Sequence, residues 1–169
     1  MYPTTTVNPA TQPAIYVLPD LLLLREEAAK ARRKVVLTNG CFDLLHRGHV
    51  EYLQRSAALG DLLFVAINSD DSVRELKGPT RPLNSEQDRA YLVASLACVT
   101  AVFIFKGPRL AEEIKQLGPD IYTKAGDYTI QTLETSEREA LLAARVNIQF
   151  LPFITGHSTT NTLTKLGLT

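Results

Sequence analysis

Short apolar runs alternate with amphipathic stretches along most of the chain. The runs Val35–Thr38, Leu62–Ile67, Val99–Phe105, Ile121–Lys124 and Ile148–Leu151 read as strands. Helical spacing of apolar positions falls between them, near residues 48–58, 85–97, 109–117, 134–145 and 158–166. Asp20 is placed to cap an earlier helix running to about Arg33, with Leu21, Leu24, Ala28 and Ala31 near one face. Ser85 and Ser158 stand at N-cap positions, and Gly60 and Gly118 stand where helices should end. Strands that are apolar almost throughout, separated by helices, are covered on both faces, so the pattern predicts a doubly wound parallel α/β sheet. The charges between Glu134 and Arg145 are expected on a solvated helix face. No internal repeat and no second domain is visible.

The polar signals collect where these strands end. Thr38-Asn39-Gly40-Cys41-Phe42-Asp43 and His46-Arg47-Gly48-His49 follow the first strand, and Asn68-Ser69-Asp70 follows the second. Lys124-Ala125-Gly126-Asp127-Tyr128 follows the fourth, and Gly156-His157-Ser158-Thr159-Thr160 follows the fifth. Open parallel sheets bind ligands beyond the carboxyl ends of their strands, so scaffold and chemistry point to one edge. Two histidines three residues apart, delivered from a strand onto a helix N-terminus, suit a phosphate. The first-turn N–H groups lack intrahelical partners, and the helix dipole is positive there. Gly48 removes a side chain where a phosphate approaches the backbone. Zinc binding by the pair would need a third ligand, and neither cysteine is spaced to supply one. Gly156 with Ser158, Thr159 and Thr160 reads as a second anion nest, and His157 as either a further donor or an exposed loop residue.

Lys77 and Arg81 share a Gly/Pro loop, which brings two cations together for a second phosphate. Arg89 is expected either to reach the same site or to pair with Glu86. Asp43, set among phosphate-binding residues, is expected to hold a cation or orient a neighbour rather than act as a base. Asp127, and with it Asp70, suits a sugar or ribose hydroxyl. Cys41 has no base beside it in sequence, so burial in the turn is favoured over nucleophilic work.

Size and charge narrow the classes. The chain has 169 residues, 45% of them hydrophobic, enough for one α/β domain with a sizeable core. Its formal net charge is zero, which argues against broad binding to nucleic acid or anionic membranes. Two cysteines, Cys41 and Cys98, make no disulfide framework and suit a reducing cytoplasm. Residues 1–19 hold four prolines and no charge, which predicts an extended or disordered arm before a domain spanning residues 20–169. No run approaches the ~20 apolar residues of a membrane span.

At the Gly40-Cys41-Phe42-Asp43, His46-Arg47-Gly48-His49 and Ser158-Thr159-Thr160 elements the chain resembles the H-x-G-H nucleotidyltransferase superfamily. Adding Ala66-Ile67-Asn68-Ser69-Asp70, the stretch from Leu76 to Pro82, and Lys124 to Tyr128, it is most similar to the heptose 1-phosphate adenylyltransferases. Their glycine pair is Ala125-Gly126 here, and His157 replaces a residue that is commonly not histidine. The resemblance implies a single Rossmann-like sheet of five parallel strands, a homodimer, and AMP transfer from ATP to D-glycero-β-D-manno-heptose 1-phosphate. In that scheme His46, His49 and Lys77 are catalytic. Cys41, Phe42, Gly48, Gly126, Asp127, Gly156, Ser158, Thr159 and Thr160 join the histidines around the nucleotide. Asp43, Asp70, Lys77, Arg81 and Lys124 serve the sugar phosphate, and Mg2+ enters bound to ATP. The alternatives are another transferase of the superfamily, pairing CTP with glycerol or ethanolamine phosphate or ATP with FMN or phosphopantetheine, and a nucleotide-sensing module without catalysis. A fragment of an aminoacyl-tRNA synthetase fits poorly, because no K-M-S-K-S-like loop or basic RNA surface is present.

Overall fold

The computed structural model describes residues 13–152. In chain order the elements are α1 (Leu18–Lys30), β1 (Val35–Gly40), α2 (Arg47–Ala57), β2 (Leu62–Asn68), α3 (Asp70–Lys77), α4 (Glu86–Ala94), β3 (Ala101–Phe105), α5 (Ala111–Leu117), β4 (Ile121–Ala125), α6 (Thr135–Ala143) and β5 (Asn147–Leu151). The five strands form one all-parallel sheet in the order β3-β2-β1-β4-β5. This is the Rossmann-like α/β architecture that the pattern predicts. The expected helix near 158–166 lies outside the described residues.

Strand periodicity divides the core into two layers. Val35 and Leu37 of β1, with Leu62, Phe64 and Ala66 of β2, pack under α1, α5 and α6. Their alternates Val36, Leu63, Val65 and Ile67 pack under α2 and α4. The handedness of crossovers explains which helices lie where. The chain advances from β1 to β2 to β3 in one direction, then returns through α5 to place β4 on the other side of β1. Right-handed crossovers then require helices before and after that reversal to lie on opposite faces. The boundary between β1 and β4 is therefore the switch point, where the flanking loops splay apart and leave a crevice.

Two local starts differ from the sequence pattern. Asp20 does not cap α1; Val17 holds the N-cap position in extended conformation without a side-chain cap bond, with Pro19 in the first turn and Asp20 inside it. Proline is accommodated there because first-turn N–H groups have no helical partner. Before α1, Ala14 and Tyr16 bond to Val102 and run parallel to the outer strand β3, covering that edge. The second difference is Val99 and Thr100, expected in a strand. They precede β3, and Thr100 instead bonds Leu63 through its hydroxyl and its backbone N–H.

A buried hydroxyl cluster fixes α2 over the switch point. Tyr52 and Ser56, one turn apart on α2, face Thr38 of β1 and Thr123 of β4. Tyr52 OH lies 2.7 Å from Thr38 Oγ1 and donates to Thr123 Oγ1 at 3.1 Å, while Ser56 Oγ is 2.9 Å from the same threonine. Burial pushes the Tyr52 phenol above its ordinary range. Tyr52→Phe removes one hydroxyl but leaves Thr38 bonded to the Thr123 carbonyl and Thr123 bonded to Ser56. The expected loss is about 1 kcal/mol, read from the midpoint of urea unfolding.

Candidate active site

The loop leaving β1 turns sharply. Phe42 sits at φ 46°, a left-handed conformation that a bulky residue adopts only when its surroundings hold it. Its ring folds back onto Gly40, where a Cβ would meet Phe42 Cε2 at 2.8 Å, so Gly40 makes the turn possible. The Phe42 ring also meets His49 edge-on, with centroids 5.1 Å apart.

Asp43 is 2% exposed and locks this loop to the one after α3. Its Oδ2 accepts from Arg81 Nε, and its Oδ1 accepts from the backbone N–H groups of Leu83 (2.7 Å) and Asn84 (3.1 Å). Asn84 Nδ2 returns a bond to the Asp43 carbonyl. Arg89, fully buried, adds a second tie. Its guanidinium donates to the carbonyls of Cys41, Asn68 and Asn84 and to Asp70 Oδ1 at 2.8 Å. Arg89 thus pairs with Asp70 and not with Glu86, whose carboxylate accepts from the Asp70 N–H.

His46 caps α2, and its side chain accepts from the His49 N–H at 3.4 Å. The two imidazoles stack with centroids 3.8 Å apart and planes 17° from parallel. Burial lowers the His49 pKa to about 4, and the charges of His46 and Lys77 push in the same direction. The ring is accordingly neutral at pH 7, so it acts as a dipole and not as a cation. Its Nδ1 is buried with no hydrogen-bond partner, and so is Arg81 Nη2. Such groups cost about 1–3 kcal/mol each, which an incoming ligand that reaches them recovers.

These groups surround a pocket of about 400 Å³ at the carboxyl ends of the strands. Cys41, Phe42, Asp43, His49, Lys77 and Lys124 line it. His46 and Gly48 belong to the start of α2 beside it. Arg81 and Asp70 are held in the ion pairs with Asp43 and Arg89 and do not line the pocket. Gly126 takes φ 116° and donates to the Leu151 carbonyl, and Asp127 beyond it is exposed. Gly156, His157, Ser158, Thr159 and Thr160 lie outside the described residues.

Among the lining residues Arg109 and Glu137 escape the sequence pattern, and Asn39 stands in the motif after β1 without a role read for it. Glu137 corrects the expectation of a solvated charged face on α6, being only 3% exposed. It shares a stripe with Ala140 and Leu141, both buried, and that i, i+3, i+4 spacing is the signal that marks it as inward-facing. Arg109, in the loop after β3, carries no comparable signal. Among the described residues, no group of three or more His, Cys, Asp or Glu is placed to hold a metal ion. Among them, too, no helix is long and apolar enough to cross a membrane.

Known proteins resemble this chain. The family described as Cytidylyltransferase-like matches residues 37–162, from the middle of β1 through the loop carrying the histidines and on past β5. The chain belongs to that family. Among curated relatives, the bifunctional protein HldE of Pelobacter propionicus is 47% identical over 148 residues, covering 87% of this chain and 30% of its own length. HldE of Syntrophotalea carbinolica is 46% identical, covering 85% of this chain and 29% of its own length. HldE of Helicobacter pylori strain J99 is 43% identical over 92% of this chain. The chain therefore spans about three-tenths of the length of these relatives. Among solved structures, the lipopolysaccharide core biosynthesis protein of Thermoplasma volcanium superposes with a TM-score of 0.59 at 25% identity. That match covers 72% of this chain and 97% of the other. Cytidylyltransferase-like membership makes the chain a nucleotidyltransferase, and the pocket is its candidate active site.

The neutral His49 has a measurable consequence. Its folded pKa of about 4 lies below the ordinary 6.5, so the unfolded chain binds more protons between those values. The stability contribution is complete above pH 6.5 and is lost as pH falls through 4. An imidazole NMR titration should give a His49 midpoint near 4 in the free protein, and addition of ATP should raise it.

Proposed function

We propose that this protein transfers AMP from ATP to D-glycero-β-D-manno-heptose 1-phosphate, giving ADP-heptose and pyrophosphate for surface-glycan assembly. The observation that carries the reading is the convergence of Cys41, Phe42, His49, Lys77 and Lys124 on one pocket beside the β1–β4 switch point. Similarity to the HldE proteins and to the lipopolysaccharide core protein supports the heptose branch. The reading further includes a homodimer and a cytoplasmic setting, where free thiols such as Cys41 and Cys98 persist.

The chemistry asks for positioning more than for a base. A sugar phosphate has a second pKa near ~6, so its oxygen is already ionised at neutral pH. That oxygen attacks the α-phosphorus of ATP, a new P–O bond forms, and the bond to the bridging oxygen breaks. Pyrophosphate leaves with the electron pair. In this scheme His46 and His49 hydrogen-bond the triphosphate and the departing pyrophosphate, the Cys41-Phe42 backbone holds the α-phosphate, and Lys77 aligns the acceptor. Gly48, Gly126, Asp127 and the residues from Gly156 to Thr160 complete the nucleotide side, and Lys124 faces the acceptor. Arg81 and Asp70 act through the ion pairs that shape the adjoining loops. Mg2+ comes with ATP as part of the substrate. Both oxygens of Asp43 are already occupied by protein donors, which suits an ion carried on phosphates and water.

Pyrophosphate release with Mg-ATP and heptose 1-phosphate, set against hexose 1-phosphates and against CTP with glycerol 3-phosphate, tests the reading. Release with ATP and the heptose phosphate is expected; release with CTP and an alcohol phosphate alone would replace it. His49→Ala should lower turnover about 10²–10³-fold with folding intact, and near-normal turnover would remove the imidazole from the reaction. Lys77→Ala should raise the KM for the sugar phosphate about tenfold or more, with a smaller effect on ATP. An unchanged acceptor KM assigns Lys77 elsewhere.

A further inference from the structure

Glu137 is a pocket carboxylate that the transfer scheme leaves unused. It comes from α6, and only 4% of its side chain is exposed. A carboxylate buried where a polyanion is to bind is costly by desolvation and by like-charge repulsion, unless its contacts offset both. Those contacts reach three strand ends. Its Oε1 accepts from the Leu110 N–H at 3.0 Å and from Asn39 Nδ2 at 3.4 Å, and its Oε2 lies 3.9 Å from Lys124 Nζ. Leu110 opens α5 directly after Arg109, so the first bond anchors the loop that carries Arg109 at the pocket rim. Asn39, turned by the second bond, presents its Oδ1 to Lys124 Nζ at 2.9 Å and to Tyr122 OH at 2.7 Å.

We infer that Glu137 is a positioning residue, which holds the Lys124 ammonium in place at the β1–β4 boundary and fixes the Arg109 loop across from it. Besides Asn39, the titratable and charged groups facing Lys124 are Glu137 from α6, Arg109 from the β3–α5 loop, Cys41 from the β1–α2 loop and Tyr122 from β4. Tyr128 completes the set, its ring centroid 5.8 Å from the ammonium. Burial pushes the Lys124 pKa down and Arg109 adds to that, while Glu137 and Cys41 push it back up. The placement of Glu137 is independent of the proposed reaction. Its consequence for catalysis rests on that reading.

Two measurements separate the two. Reductive ¹³C-methylation of the folded protein gives a dimethyl-lysine resonance for Lys124, assigned by its loss in Lys124→Arg, and needs no substrate. Glu137→Gln keeps an acceptor for Leu110 and removes the charge, so the Lys124 midpoint should fall by roughly one unit. Calorimetric binding of heptose 1-phosphate, the ligand Lys124 faces in that reading, should lose affinity at a correspondingly lower pH in Glu137→Gln than in wild type. A carboxylate with only a packing role lowers thermal stability but moves neither midpoint, and that result overturns the inference. Should the glutamine variant not fold, Glu137→Asp carries the test. It draws the charge back by one methylene and should lower the Lys124 midpoint by less; an unmoved midpoint is again fatal. Wild-type protein that binds no heptose 1-phosphate, while Glu137→Gln still lowers the lysine midpoint, refutes the transfer reading and leaves the positioning role standing.

Discussion

The fully buried guanidinium of Arg89 is the interaction on which the pocket's walls depend. A planar fork of donors can satisfy several acceptors at once, and here it takes carbonyls from the ends of β1 and β2 and from the loop before α4. Strand-end carbonyls of a parallel sheet have no further strand to bond, so without a donor they would be stranded beneath the loops. Asp70 supplies the countercharge at 2.8 Å. The Asp43–Arg81 pair repeats the device one layer out, with backbone N–H groups filling the second carboxylate oxygen. Together they hold the Cys41-Phe42 turn in its strained conformation. Charge is thus used inside this fold chiefly to fix loop positions.

That use of charge reconciles a neutral chain with a site for polyanions. The cations near the pocket are mostly either paired or discharged: Arg89 by Asp70, Arg81 by Asp43, Lys124 opposed by Glu137, and His49 held neutral by burial. The pocket therefore avoids the repulsion that a cluster of bare cations would suffer. In the proposed reaction an anion entering it meets backbone dipoles at the start of α2, the His49 imidazole and a few placed ammonium groups. Recognition is local, in keeping with the zero net charge.

Hydroxyl chemistry beneath α2 does the work of alignment. Tyr52, Ser56, Thr38 and Thr123 join α2 to β1 and β4 through hydrogen bonds in a buried layer, where each is stronger than in water. The helix that carries the histidines is thereby fixed against the two strands whose divergence makes the crevice. Arg25 performs a similar task at the far end of the sheet, bonding the carbonyls of Leu117 and Gly118 and pairing with Asp120 at 3.4 Å.

By itself the sequence determined the alternation of strands and helices, the parallel sheet and the edge where the candidate site lies. Those follow from periodicity and from the polar residues gathered at strand ends, both of which are local properties of the chain. The H-x-G-H element was legible for the same reason, since its two imidazoles share a single helix turn. What only the tertiary structure decided is which partner each charge finds. Asp43 meets Arg81 across 38 residues, Asn39 meets Glu137 across 98, and Arg89 chooses Asp70 over its near neighbour Glu86. No local pattern encodes such pairings, because they depend on how the crossovers bring distant loops together over the switch point. Burial depth is equally non-local. It turns His49 neutral and sinks Glu137 into the pocket wall, and it is set by everything packed around them.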